Sequence, residues 1–179
     1  MKLLPDKYSY LNDVKGPRIL CEALSLYGVR EISGDRNNPV ILSWAKEIGG
    51  WIGRFYTGDD IPWCGLFIAV AASRAKFPFG QKALSARAWL TWGQEAVYPS
   101  LGDVLVFARG GGGHVGLYVG EDYTHFHVLG GNQSNEVNIM RIKRDRLLGA
   151  RRCIWRYEEP NDVRRYFLKP EGVVSEDER

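Results

Sequence analysis

Cys64 lies in Asp60-Ile61-Pro62-Trp63-Cys64-Gly65-Leu66-Phe67. Pro62 suits the first turn of a helix, where its missing N–H has no helical partner to lose, so the thiol is expected at a helix N-terminus. The unpaired N–H groups and the dipole at such an end favour an anion. A thiol placed there is expected to have a lowered pKa and to act as a nucleophile. The same N–H groups suit the oxyanion formed when a carbonyl is attacked. Gly65 is read as leaving room for a substrate beside the sulfur. The competing reading is a buried cysteine in an apolar helix.

A thiolate nucleophile needs an imidazole to take and return a proton. The chain holds three histidines: His114, His125 and His127. His114 opens the run His114-Val115-Gly116-Leu117-Tyr118-Val119-Gly120, whose alternation predicts a strand with Val115, Leu117 and Val119 on the core face. His114, Gly116 and Tyr118 share the other face, and the small Gly116 is read as leaving an open surface where a helix end can approach. A third polar side chain is needed to orient the imidazole and fix its tautomer. The next strand ends in Leu129-Gly130-Gly131-Asn132-Gln133-Ser134-Asn135, and Asn132 is the favoured orienter. His127 is its rival; turn geometry alone also explains an Asn beside glycines.

These residues need elements to hold them. Apolar spacing predicts helices over 17–27, 38–48, 62–76 and 85–92, the first two stopped by Gly28 and by Gly49-Gly50. The period then changes. Strands are expected over 103–108, 114–120, 124–130, 136–142 and 150–157, joined by short Gly-rich or polar turns that favour antiparallel neighbours. Helices followed by a strand meander make an α+β fold with N-terminal helices on an antiparallel sheet of about five strands. One domain is expected over 1–169, with a flexible tail over 170–179.

Composition sets the outer limits. The chain has 179 residues, of which 45% are hydrophobic and 25% charged, with a net charge of +3. That excludes disordered, collagen-like and small disulfide-stapled chains, and the charge is too weak to argue for nucleic acid. No apolar run reaches the roughly 18 residues needed to span a bilayer. The charged, proline-broken start lacks the apolar core of a secretory signal, so no such signal is expected. The three cysteines include no CxxC pair, and Cys21 and Cys153 are expected in the core. No close histidine pair supports a zinc hydrolase, and no metal or cofactor is expected. Ten Lys/Arg against four acids between Arg141 and Lys169 form a basic stretch that either attaches to a polyanion or is a solvated face.

Four segments occur in order: Pro62-Trp63-Cys64, Gly102-Asp103-Val104-Leu105-Val106-Phe107, Gly113-His114-Val115-Gly116 and Leu129-Gly130-Gly131-Asn132-Gln133-Ser134-Asn135. Together they resemble the phage- and prophage-associated cysteine hydrolases of the NlpC-type/CHAP superfamily. Gly28-Val29-Arg30-Glu31-Ile32 and Asn37-Asn38-Pro39 extend the likeness to one of its small subfamilies. The resemblance implies a papain-like core, a cysteine helix on an antiparallel sheet carrying the histidine. It places the nucleophile at Cys64, the base at His114 and the third polar residue at Asn132. Many NlpC-type enzymes use a histidine third, and many CHAP enzymes a glutamate or asparagine. Tyr56 is a candidate oxyanion donor, because some NlpC-type enzymes use an upstream tyrosine.

The resemblance also implies a substrate: an amide bond of the peptidoglycan stem, cleaved by an endopeptidase or N-acetylmuramoyl-L-alanine amidase. The expected setting is a phage or prophage endolysin, monomeric, made in the cytoplasm and acting at the cell wall. The alternatives are a secreted antibacterial effector with the same chemistry and a catalytically inactive wall-binding or virion protein of the same fold.

Overall fold

The computed structural model describes residues 2–34, 36–155 and 158–176. Pro17 opens α1 (Arg18–Leu24), which stops short of the expected Tyr27. Asn38 caps α2 (Pro39–Ile48), its side-chain oxygen accepting the Val40 N–H at 2.8 Å. Where the Gly49-Gly50 pair predicts only a stop, the chain turns through Gly49 at φ +74° and starts α3 (Gly50–Phe55) at once. α4 (Cys64–Arg74) begins at the thiol itself. The fourth expected helix is a 3-10 turn over Ala86–Thr91, and another, not anticipated, covers Asp6–Asn12.

The strands are β1 (Gln94–Glu95), β2 (Val104–Arg109), β3 (Gly112–Glu121), β4 (His125–Gly130), β5 (Asn138–Lys143) and β6 (Leu147–Arg152). They form one six-stranded sheet in the order β1-β6-β2-β3-β4-β5, with every neighbouring pair antiparallel. The architecture is therefore mixed helix and antiparallel sheet. The sixth strand is β1, a two-residue edge piece paired to Arg151 and Arg152 and too short to leave a period in the sequence. The far end of the expected last strand, Arg156 and Tyr157, lies outside the described residues.

α4 has no polar face, because Cys64 to Ala72 are all apolar or glycine, and all are buried. It packs on α1, α2 and β3. Val104, Val106, Val115, Leu117, Val119 and Leu129 belong to this helix-facing core, while Leu105, Phe107, Tyr118, Phe126, Val128, Ile142 and Ala150 form a second cluster. The alternation along β2 and β3 puts that second cluster on the opposite face.

Two core expectations divide. Cys153 is buried, but Cys21 is exposed on the outer side of α1. The expected tail is also tied down in part: Arg141 N–H donates to Val173 O, Ser175 N–H donates to Arg141 O, and Ser175 is buried. Residues 177–179 lie outside the described residues. Among the described residues no helix is long and apolar enough to cross a membrane.

Candidate active site

β3 pairs with β4 only from Leu117 to Glu121, so the first half of β3 has no strand on that side. The Tyr118 N–H bonds Asp103 O on the β2 side. Backbone N–H groups alternate sides along an antiparallel strand, so the Val115 N–H points into the space beyond the end of β4. The start of α4 fills that space, and the Val115 N–H lies near enough to Cys64 to favour its thiolate. The thiol thus meets the histidine strand at its open margin, one residue from His114.

The sulfur's surroundings reverse one expectation. Burial pushes the Cys64 thiol above its ordinary pKa. The N–H of Val115, the charge of Arg109 and the N–H groups of Gly65 and Cys64 pull it down without overcoming that rise. A helix end lowers a thiol pKa where water can still reach the anion, and Cys64 is only 6% exposed. Gly65 does not leave substrate room either. A Cβ there would fall 2.4 Å from Leu84 O and 2.6 Å from Ala83 O, so the glycine admits a neighbouring backbone.

His114 is fully buried rather than set on an open surface, since Gly116 beside it is backed by Val128. Its Nε2 lies 3.0 Å from Gln133 Oε1. Gln133, not the expected Asn132, therefore holds the imidazole. The Asn132 amide faces elsewhere: with its two ends assigned from their neighbours, one a carboxylate and the other an N–H, Nδ2 donates to Glu31 Oε1 at 3.1 Å and Oδ1 accepts the Trp63 N–H at 3.2 Å. Asn132 has φ +55°, a left-handed conformation that Asn tolerates, and the turn it makes aims the next side chain at His114. Gly131 lets this turn lie flush on α4, because a Cβ would come within 2.5 Å of Phe67 Cβ and 2.7 Å of Trp63.

His127, the rival third residue, points away from His114, on the face it shares with Leu129. Its Nδ1 is 2.7 Å from the Tyr8 hydroxyl and its Nε2 is 3.1 Å from Asp122 Oδ2. Tyr56 is close enough to interact electrostatically with Cys64, and burial raises its pKa, but its hydroxyl donates to Pro62 O at 2.5 Å. Tyr56 and Pro62 also line a groove of about 460 Å³ with Trp51, Phe55, Ile61 and Leu84.

The basic stretch is largely committed within the fold. Arg141 pairs with the buried Asp122, Arg144 and Arg165 with the buried Glu121, and Arg152 with Asp103. Among the described residues no three His, Cys, Asp or Glu side chains gather as a metal site.

Gln133 and Glu31 are the residues that single-residue reasoning passed over. Gln133 stands inside the Gly-Gly-Asn-Gln turn, where only its position one step past Asn132 marks it. Glu31 carries no local signal, because its partners lie 32 residues away at Trp63 and beyond that at Asn132. No protein-family model matches the chain, and no curated protein matches it.

Proposed function

We propose that the protein is a cysteine-dependent hydrolase of papain-like type that cleaves an amide bond of the peptidoglycan stem. The observation that carries the reading is that the Val115 N–H favours the Cys64 thiolate, and Val115 directly follows His114, whose imidazole is held by Gln133. The substrate class rests on the resemblance of the four ordered segments to NlpC-type/CHAP enzymes. An endolysin reaching the wall from the cytoplasm is the setting that resemblance favours.

In this mechanism Cys64 Sγ attacks a stem-peptide carbonyl carbon as its proton passes to His114 Nδ1. Nε2–H stays on Gln133. The tetrahedral oxyanion is met by backbone N–H groups at the start of α4. As the intermediate collapses, the C–N bond breaks and His114 returns the proton to the leaving amine. Water, deprotonated by His114, then hydrolyses the thioester and restores the thiol. Because burial holds the sulfur neutral at rest, the imidazole acts as a general base as attack proceeds.

The test is to add purified protein to isolated sacculi and follow turbidity and released fragments by mass spectrometry. Wild type clears the suspension and Cys64→Ala does not; equal clearing by both sinks the mechanism. The burial of Cys64 favours one second reading, a wall-binding or virion protein with a silent thiol. That reading requires Cys64 to resist labelling by iodoacetamide at neutral pH while the exposed Cys21 reacts.

A further inference from the structure

We propose that Glu31 is a positioning residue that fixes the Cys64 sulfur relative to the His114 imidazole. The inference rests on the reading of those two residues as nucleophile and base, and concerns a carboxylate that touches neither.

One oxygen, Glu31 Oε1, accepts from two donors: the Trp63 indole N–H at 2.6 Å and the Asn132 amide at 3.1 Å. Asn132 closes the ring by accepting the Trp63 backbone N–H. Trp63 is the residue before Cys64, and Asn132 is the residue before Gln133, which holds His114. The ring therefore joins the two chain segments whose spacing sets the sulfur–imidazole distance. Trp63 cannot take its indole elsewhere. It is fully buried, with Trp44 edge-on at 5.9 Å between ring centres and Gly131 against its ring.

Glu31 is itself anchored to the same turn. Its N–H donates to Asn135 O, Arg30 bridges Glu136 antiparallel, and Gly28 and Val29 exchange bonds with Val137. On the other side Asp59, buried, accepts the N–H groups of Ile32 and Asn38. Hydrogen bonds to an ionised acceptor are roughly twice as strong as neutral ones. Burial and the neighbouring Asp59 and Asp60 raise the Glu31 pKa, and the indole bond opposes that rise. The groups bearing on the sulfur's own titration are Arg109 on β2 and the backbone N–H groups of Val115, Gly65 and Cys64, and Tyr56 at the end of α3 feels the sulfur in turn.

The test reads Cys64 directly and needs no wall substrate. The rate of Cys64 alkylation by iodoacetamide is followed by peptide mass spectrometry from about pH 5 to about pH 10. The full chain is used as wild type, His114→Ala, Glu31→Ala and Glu31→Gln. Wild type is expected to react faster than His114→Ala near neutrality; if the two profiles coincide, the nucleophile–base reading has failed and this inference with it. With those profiles apart, Glu31→Ala is expected to move toward His114→Ala, losing about tenfold in rate at neutral pH, the equivalent of one pKa unit. Glu31→Gln keeps a carbonyl oxygen for both donors and is expected to stay near wild type. Glu31→Ala with the wild-type profile overturns the inference while leaving the reading of Cys64 and His114 in place. If Glu31→Ala does not fold, Asn132→Ala removes two of the ring's three bonds, those to Glu31 and to the Trp63 N–H, and is read the same way, with an unchanged profile again overturning it.

Discussion

Gln133 Oε1 sits 3.0 Å from His114 Nε2, and the rest of the Gln133 amide dictates what that contact is. Its nitrogen faces Val128 O, Asn138 O and Asn138 Oδ1 at 2.8–3.1 Å. Three acceptors around one end fix it as the NH2 group, so the oxygen must face the imidazole. His114 Nε2 must then be the donor, which leaves the neutral ring's acceptor at Nδ1. The tautomer a general base needs is set by two carbonyls on the strands flanking the turn.

Gln133→Ala is therefore expected to keep the fold and lower sacculus hydrolysis by about 10²-fold, within the range a positioned base contributes. Gln133→Glu is expected to do worse in stability. It sets a second carboxylate oxygen against three acceptors, at about 1–3 kcal/mol for each buried group left unmatched. Turnover and thermal melting of both variants check this; wild-type turnover by Gln133→Ala would remove Gln133 from the site.

His127 gives a prediction in pH. Burial lowers its pKa to about 4, with Asp122 opposing and Lys7 adding to the fall. Between that value and the ordinary 6.5 the unfolded chain binds a proton that the folded chain refuses. Stability is thus full above about pH 6.5 and falls as pH drops toward 4, by about 3 kcal/mol in all. Asp122 is held well below the usual carboxylate range, so its own contribution is lost only from about its ordinary value of 3.8 downward, at the acid edge of this window. Melting temperature measured between those limits should fall steeply for wild type and much less for His127→Gln. Parallel slopes would contradict the buried neutral imidazole.

The sequence carried the elements better than their contacts. α4 and β2 to β5 follow from apolar period, and the order Cys64, His114, Gly-Gly-Asn follows from local spacing. What it could not carry was which neighbour in a turn faces inward. Asn132 and Gln133 are adjacent and chemically alike; the choice between them is made by φ at Asn132, which depends on α4 packing against Gly131. The thiol's pKa departs from its helix-end expectation for a related reason. A helix end is visible in Pro62-Trp63-Cys64, but the backbone of Ala83 and Leu84 that helps close it off arrives from 20 residues away.

Gly65→Ala tests that closure. In a helix interior this change is normally favourable by about 1 kcal/mol. Here the new Cβ would lie 2.4 Å from a backbone oxygen, and backbone cannot swing aside as a side chain can. Overpacking of this kind costs about 1–3 kcal/mol, so the clash outweighs the propensity gain. A lower melting temperature and weaker hydrolysis are expected, since the displaced turn carries Cys64. A raised melting temperature would mean that the 83–84 segment yields.

Charge reversal in the basic stretch is the last test, and the buried pairs change what it should read. Arg141 Nε donates to Asp122 Oδ2 at 2.8 Å, and Asp122 is 2% exposed. Arg141→Glu leaves that carboxylate facing another, and breaking a buried pair costs about 3–5 kcal/mol. Lys143 at the end of β5 is exposed, and reversing it removes only a solvated charge. Arg141→Glu is thus expected to lower the melting temperature sharply, and Lys143→Glu to leave it nearly unchanged. Equal melting of the two variants would contradict a structural role for the Arg141–Asp122 pair.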